Sequence, residues 1–170
     1  MSNVLARWNH LTYEEAVGEI LACCGAQAWA RAVASRRPFQ DEPSLIQISD
    51  EVWAGMCPQD WLEAFSKHPR IGERNAPQLA SAQSATWSAQ EQEKVAAGGE
   101  AVQLALAEAN RQYERRFHSV FIVCATGKTA PEILEILRRR LANDDATELR
   151  EAAEEQRKIT NIRLRKWLST

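Results

Sequence analysis

His68 is the side chain of this sequence best placed for acid–base chemistry, because it follows a predicted helix and directly precedes Pro69. The residue before a proline is disfavoured in the helical conformation, so the helix should end there and the chain from His68 to Pro77 should form a loop. Residues 70–73 add polar groups to this stiff loop. A histidine side chain titrates near neutrality and can accept and return a proton. The alternative, which the loop alone leaves open, is a surface histidine that terminates a helix.

Ser88, Glu91 and Gln92 form a second group of polar residues at helical spacing. Ser88 and Glu91 fit a capping box, in which the two side chains satisfy backbone N–H groups of a helix that starts at the serine. The same first turn presents backbone donors and the positive end of the helix dipole to a ligand. Both interpretations can hold at once.

Arg163 stands on the apolar side of a helix predicted from about Thr147 to Leu168. At about 100° per residue, Arg163 lies about 40° from Ile159 and from Trp167. A buried guanidinium needs a partner or a polar cavity, since an unpaired buried charge is strongly destabilising. An internal ion pair, for example to Glu91, is the alternative to a ligand-binding role. A helical wheel of this helix places Leu149, Ala152, Ile159, Ile162 and Trp167 on one arc, and Glu154, Lys158, Asn161 and Arg165 opposite them.

The composition is that of an ordinary globular protein and bounds its function. The length of 170 residues predicts a single domain, 1–170, and the 45% hydrophobic and 26% charged residues argue against disorder. Twenty-one basic and 23 acidic residues give a net charge of −2, which argues against nucleic acid as a partner. No apolar run is long enough to span a bilayer, and the first residues lack the features of a signal peptide. The sequence therefore predicts a cytoplasmic protein with no membrane partner.

The cysteines and histidines do not form a metal-binding pattern. The four cysteines, Cys23, Cys24, Cys57 and Cys124, include no Cys-x-x-Cys pair, and none of the three histidines has another histidine or a cysteine at ligand spacing. We therefore expect no metal site, and we expect the cysteines to be small buried residues in a reducing compartment.

Apolar residues recur three and four apart over most of the length, and glycine and proline are sparse, which predicts an all-helical protein. Thr12 and Glu15 form a capping box for a helix that ends near Cys24, where Gly25 is a stop signal. A short helix follows from about Ala26 to Ser35. Pro38 and Pro43 bracket a loop, and the helix after it has an apolar face of Leu45, Ile48, Val52 and Met56. The next helix runs from Gln59 to about Ser66, with Pro58 in its first turn. Another starts at Ser88, continues through or breaks at Gly98-Gly99, and carries a later stripe of Val102, Leu106, Ala109, Tyr113 and Phe117. Thr129, with Glu132 three residues on, opens a helix that ends near Asn143.

The segment Ser119–Ala125 (SVFIVCA) does not fit the helical pattern. Its residues are β-branched and apolar, which favours a strand. No second strand candidate is present to pair with its backbone, so we expect a buried extended or short helical piece.

Four blocks, in this order, resemble the 2-oxo-4-hydroxy-4-carboxy-5-ureidoimidazoline (OHCU) decarboxylases of purine breakdown. The blocks are His68–Glu73 (HPRIGE), Ser88-x-x-Glu91-Gln92, Phe121–Lys128 (FIVCATGK), and Glu155-x-x-Lys158-Ile159-x-x-x-Arg163-Leu164. Asp60-Trp61 and Ala64-Phe65 agree as well. Each block is short, but the ordered set covers more than half of the chain and is specific.

The resemblance implies an all-α, compact single-domain bundle of seven to nine helices and a carboxy-lyase without a cofactor. Its substrate is a small ureidoimidazoline, and its products are (S)-allantoin and CO2. The resemblance makes His68 the catalytic residue. It assigns substrate binding to Pro69, Ser88, Glu91, Gln92 and Arg163, and to the backbone of Ile122, Val123, Cys124 and Ala125, which would line the ring of the substrate.

The chain departs from the family pattern at two places. It reads Phe117-His118-Ser119 where the family usually has a Phe-Gly-Phe-like sequence, and a histidine adopts a positive φ less readily than glycine. Thr129 stands where serine is usual, and the chain ends without a Ser-Lys-Leu peroxisomal address, as expected of a cytosolic member.

Three points stay open at this stage. One rival is a non-catalytic helical interaction module that binds through Arg36-Arg37 or Arg138-Arg139-Arg140, although such charges at a helix end also compensate the helix dipole. The other rival is a hydrolase of a related hydantoin. Whether the chain forms a homodimer is also left open.

Overall fold

A computed structural model describes residues 3–72, 82–96 and 99–170, without the side chains of 84 and 91–96. The described residues contain nine helices and no strand, which confirms the predicted all-α class. The helices are α1 (Asn3–Asn9), α2 (Tyr13–Cys24), α3 (Gln27–Ala34), α4 (Glu42–Ala54), α5 (Pro58–Phe65), α6 (Ala82–Ala96), α7 (Glu100–Phe117), α8 (Ala130–Arg140) and α9 (Asp145–Leu168). None of these helices is long and apolar enough to cross a membrane.

The chain forms two compact units, which are described separately. The N-terminal unit takes residues Met1–Ala64 and Arg157–Thr170, and the central unit takes Phe65–Gln156. The second half of α9 therefore belongs to the N-terminal unit and its first half to the central unit.

Tryptophans form much of the core of the N-terminal unit. Trp8 and Trp29 are fully buried, and each indole N–H finds a backbone carbonyl, that of Ala16 at 3.0 Å and that of Ser49 at 3.3 Å. The ring of Trp8 packs edge-on against that of Trp167, with centroids 5.6 Å apart. These bonds satisfy the polar ends of large buried rings. The helix that carries Trp8, α1, was not predicted from the sequence.

The core of the central unit lies between α7, α8 and the segment that joins them. It comprises Ile71, Leu106, Ala109, Tyr113, Phe121, Val123, Ala125, Ala130, Ile133, Leu134 and Leu137, with Val102 and Phe117 packed against it. The stripe predicted on α7 is thus confirmed.

Local capping signals account for the helix ends that the sequence predicts well. Thr12 and Glu15 form the expected capping box of α2, and Gly25 ends that helix in the left-handed conformation at φ 93°. Thr129 and Glu132 form the expected box at the start of α8.

Several predicted boundaries are wrong. Pro43 lies in the first turn of α4, where its missing N–H costs nothing, and Asp41 caps that helix. The buried face of α4 is Leu45, Ser49 and Trp53, spaced four apart, and Met56 lies beyond the helix. The predicted helix from Ser88 starts six residues earlier, and the chain restarts a helix after Gly99, which is the N-cap of α7. The helix predicted to end near Asn143, α8, ends three residues earlier, at Arg140.

Two surface predictions also need correction. Cys57 is exposed, whereas the other three cysteines are buried, and all four are free thiols. Arg140 is completely buried, so only Arg138 and Arg139 of the predicted basic turn lie at the surface. The guanidinium of Arg37 donates to the backbone carbonyls of Trp8 and Leu11, so it stabilises a loop.

Candidate functional site

The loop that carries His68 is attached to α7 of the central unit. The N–H of His68 donates to the carbonyl of Phe65 at 3.1 Å, which closes the turn after α5. Asn110 donates to the carbonyl of Ile71 at 2.9 Å, and Arg70 pairs with Glu114, where Nη2 and Oε2 are 2.9 Å apart. These contacts hold the backbone of the loop on either side of His68, whose Nε2 atom is enclosed by the protein. His68 and Pro69 are both half-buried.

Asn110 is a residue of this site that the sequence interpretation missed. It is buried, and it lies on the apolar stripe of α7 between Leu106 and Tyr113. A polar residue on an apolar stripe must find a hydrogen-bond partner, and the carbonyl of Ile71 is that partner. The polar interruption of the stripe was the signal that could have identified it.

Ser88 lies inside α6 and does not cap it, so the capping-box interpretation of Ser88 and Glu91 is wrong. The helix begins at Ala82, and Ser88 is 6% exposed. Glu91 and Gln92 are also residues of α6, but their side chains lie outside the described residues. The substrate-holding roles of these three residues stay predictions.

The segment between α7 and α8 is buried and non-helical, which confirms one of the two predicted forms. Residues 120–125 are neither helix nor strand, and the side chains of Phe121 to Ala125 are all buried. Before this segment, His118 ends α7 in the left-handed conformation at φ 54°, so a histidine does adopt the backbone shape that favours glycine.

One edge of this segment is held by charged side chains. The carbonyl of Ile122 accepts from Nη1 of Arg140 at 2.6 Å, and the N–H of Cys124 donates to Oε2 of Glu155 at 2.8 Å. The carbonyl of Cys124 also accepts from Nζ of Lys128 at 2.7 Å. In an extended chain, the N–H and C=O of one residue point to one side and those of the next residue point to the other. These bonds therefore fit an extended segment in which backbone groups of Ile122 and Cys124, on one edge, are hydrogen-bonded to side chains.

Val123 belongs to the opposite edge of the segment. Its N–H and C=O make no hydrogen bond to other residues within the range of the chain that the structure describes. Buried backbone groups are nearly always paired with protein, water or ligand. The backbone of Val123 is thus suited to bind a small molecule that offers one acceptor and one donor side by side, as an amide or ureido group does.

Arg163 lies in the N-terminal unit and is 2% exposed, so its predicted burial is confirmed. Its charge acts on two neighbouring thiols. Burial raises the pKa of Cys23 well above its usual range and that of Cys24 to about 12, and in both cases the guanidinium of Arg163 acts in the opposite direction. The wheel was wrong about Asn161, which is buried and donates to Asp50 at 3.0 Å. An ion pair between Arg163 and Glu91 involves a side chain outside the described residues.

No group of three or more metal-ligating side chains occurs in the described ranges. Cys124, which lies in the held segment, has a raised pKa because of burial, and Glu155 adds to this effect. Its thiol is therefore a poor nucleophile or ligand near neutrality.

Comparisons with known proteins identify relatives over most of the chain. The model of the OHCU decarboxylase family matches residues 9–165. The chain is 37% identical over 148 residues to the uric acid degradation bifunctional protein TTL of Arabidopsis thaliana, which covers 86% of this chain and 45% of that protein. It is 32% identical over 161 residues to the 2-oxo-4-hydroxy-4-carboxy-5-ureidoimidazoline decarboxylase of Amia calva, which covers 92% of this chain and 89% of that protein. The chain thus spans less than half the length of the bifunctional relative.

Two solved structures have a similar fold. A crystal structure of OHCU decarboxylase in the presence of (S)-allantoin superposes with a TM-score of 0.77 at 33% identity, and it covers 89% of this chain and 98% of that chain. A crystal structure of (S)-allantoin synthase superposes with a TM-score of 0.69 at 15% identity, which shows a shared fold alone.

Proposed function

Because the chain belongs to the OHCU decarboxylase family, a family of carboxy-lyases in urate degradation, we propose that it decarboxylates OHCU to (S)-allantoin and CO2. The observation that best supports this activity is the buried segment 121–125, whose Val123 edge offers an N–H and a C=O side by side. A ring amide or a ureido group of the substrate complements this pair. His68, in the same unit, supplies the group that can move a proton.

The reaction requires an electron sink and a proton, and both can be supplied without a cofactor. Loss of CO2 leaves an electron pair, which is delocalised over the adjacent C=N and carbonyl groups of the substrate. The hydroxyl on the carbon that lost CO2 gives up its proton and becomes a ring carbonyl. A proton must also reach one face of the neighbouring carbon, which bears the ureido group, and that step sets the S configuration. His68 handles the proton, either from the substrate hydroxyl or to the carbon, and such a group contributes about 10²- to 10⁴-fold in rate.

The remaining predicted residues position the substrate. Glu91 and Gln92 would hold the ring and ureido groups by paired hydrogen bonds, with Pro69 and Ser88 beside them, and so fix the face that is presented. Arg163 would contact a ring or ureido oxygen that gains negative charge as the bond breaks. If it bound the departing carboxylate instead, it would stabilise the ground state as much as the transition state, and little rate would be gained.

The test of this function is a coupled assay in which urate oxidase and the preceding hydrolase generate the unstable substrate. CO2 release and the circular dichroism of (S)-allantoin are followed together. We expect the chain to accelerate both signals with the same rate constant. A hydantoin hydrolase would release no CO2, and an interaction module would change neither signal.

The test of the catalytic histidine is His68→Asn, with His10→Asn as the matched control because His10 is exposed. We expect His68→Asn to keep its far-UV circular dichroism and to lose at least about 100-fold in kcat. The control should stay within twofold of the unchanged protein. Near-normal turnover by folded His68→Asn would show that another group moves the proton.

Three further expectations belong to the proposal. We propose that the chain unfolds as one domain, so thermal transitions followed by tryptophan fluorescence and by circular dichroism should coincide.

We propose a cytoplasmic location, which cell fractionation tests. Light scattering of the purified chain decides between the monomer and the homodimer.

A further inference from the structure

Several contacts hold the guanidinium of Arg140, which also bonds to the segment 121–125. Its Nε lies 2.9 and 3.2 Å from the two carboxylate oxygens of Glu148, and its Nη2 also bonds to that carboxylate. Its guanidinium carbon lies 4.7 Å from the centroid of the Phe121 ring. The side chain is fully buried, so water does not compete for these bonds. The remaining nitrogen, Nη1, donates to the carbonyl of Ile122.

The carboxylate of Glu148 is itself fixed by two neutral side chains. Asn143 donates to Oε2 at 2.8 Å, and the hydroxyl of Tyr113 donates to Oε1. The charge of the buried pair is therefore balanced, and the remaining lone pairs of the carboxylate are occupied. The position of the guanidinium is consequently set by α7, by the start of α9 and by the segment itself.

The chemistry of the guanidinium explains why an arginine is needed here. It is planar and carries five N–H donors in a fixed fork, so it can bind a carboxylate on one side and a carbonyl on another. A lysine at the same position has one ammonium on a flexible stem and cannot reach both groups in a fixed geometry. Glu155 has the complementary role at the other end of the held edge, where it accepts the N–H of Cys124.

We propose that Arg140 and Glu155 are positioning residues, which hold the Ile122 and Cys124 edge of the segment so that the Val123 backbone is presented to the substrate at a fixed place. Neither side chain is required to touch the substrate for this role. The proposal rests on the proposed function, because it assigns the Val123 edge to substrate binding. A displacement of about 1 Å at such an edge is enough to lower the rate about 100-fold.

The first experiment compares Arg140→Lys with Ile133→Val, a buried substitution on the same helix that leaves the bonds to the segment intact. We expect Arg140→Lys to lower kcat/KM about 10- to 100-fold and to weaken (S)-allantoin binding in the same direction. Ile133→Val should lower the melting temperature but change kcat/KM less than twofold. Equal kinetics in the two variants would show that Arg140 acts on stability alone and would overturn the proposal.

A second readout does not depend on activity. Amide hydrogen exchange of peptides from 119–128 should be faster in Arg140→Lys than in Ile133→Val, with peptides of α3 unchanged in both. If the unchanged protein releases no CO2, the proposed function fails, and this exchange comparison still decides whether Arg140 holds the segment. Unaltered exchange in Arg140→Lys would overturn the proposal even in an active enzyme.

Two substitutions of Glu155 test whether its bond to Cys124 positions the segment. Glu155→Gln keeps a carbonyl oxygen that can accept the N–H of Cys124, whereas Glu155→Ala removes the acceptor. We expect KM to rise more in Glu155→Ala than in Glu155→Gln, with partial rescue of the exchange rate in the glutamine variant. Equal losses in both variants would show that the bond to Cys124 does not position the segment.

Discussion

The end of α8 and the second half of α9 each bury an arginine, and the two guanidinium groups act on different neighbours. Arg140 is fully buried and is paired with the carboxylate of Glu148 and the carbonyl of Ile122. Arg163 is 2% exposed, and its charge acts on the buried thiols of Cys23 and Cys24. The partners of Arg140 commit it to internal structure, whereas the family resemblance assigns Arg163 to the substrate.

Burial alone therefore does not identify a functional arginine. A buried ion pair is weak evidence for net stability, but removal of one partner is strongly destabilising. Substitution of an arginine that binds a ligand should instead have a large effect on kinetics and a smaller one on stability. Variants of the two regions can therefore separate a structural arginine from a site arginine.

The largest effect should come from Glu148→Ala. This change leaves the charge of Arg140 buried without its carboxylate and removes the acceptor of the Tyr113 hydroxyl. We expect the free energy of unfolding to fall by about 3–5 kcal/mol, measured by urea denaturation. Glu42→Ala is the control, because Glu42 pairs with the exposed Arg165 and such pairs contribute about 0–1 kcal/mol. Similar losses in both variants would contradict the structural role assigned to the Arg140 pair.

The next effect should be kinetic and should come from Arg163→Lys. A donor aimed at developing charge in the transition state is worth about 10²- to 10³-fold in kcat, so kcat/KM should fall by that amount in the coupled assay. The melting temperature should fall less than in Glu148→Ala. Arg165→Lys is the matched control, since Arg165 is exposed and pairs with Glu42. A large loss of melting temperature with unchanged kinetics would instead favour an internal ion pair for Arg163.

The sequence predicted those features whose signals are local. The boxes of Thr12 with Glu15 and of Thr129 with Glu132 span three residues, so their helix starts could be recognised. The burial of Arg163 could be predicted because apolar residues lie beside it on one helix. The family blocks pointed to His68 and to the segment 122–125, whose roles in the site stay predictions.

The features that were missed depend on contacts between distant regions of the chain. Glu155 and Cys124 are 31 residues apart, and Arg140 and Ile122 are 18 apart. Arg140 and Glu148 stand at a helix end and in a first helical turn, where charged residues usually compensate the helix dipole at the surface. The start of α6 was missed because the Ser88–Glu91 spacing imitates a capping box inside a helix.

A smaller effect should come from Asp144, which caps the turn of α9 that carries Glu148. Thr147 donates its N–H and its hydroxyl to this carboxylate at 2.8 and 2.9 Å, and the two bonds hold the pKa of Asp144 below its ordinary value. We expect Asp144→Ala to lower the melting temperature by about 2–4 °C at pH 7.

The effect of Asp144 should depend on pH in one direction. Because the pKa is lower in the folded state, the carboxylate stabilises the fold at pH values above its ordinary pKa of about 3.9. This contribution is lost as the pH falls through the lowered folded pKa, so the melting curves of Asp144→Ala and the unchanged protein should converge in acid. A difference that persists at pH 2 would show that the cap does not act through its charge.

The smallest effect should come from His118→Gly, which acts where the chain leaves α7 for the segment that Arg140 holds. His118 adopts φ 54° and donates its N–H to the carbonyl of Glu114 at 2.9 Å. A non-glycine residue in the left-handed region is strained by about 1–2 kcal/mol, while glycine loses more entropy on folding, so the net gain in stability should be about 0.5–1 kcal/mol. His118→Ala keeps the Cβ atom and should give no such gain in denaturant titrations. If both variants gain equally, the imidazole rather than the backbone carries the cost, and the approach to the Arg140-held segment is unstrained.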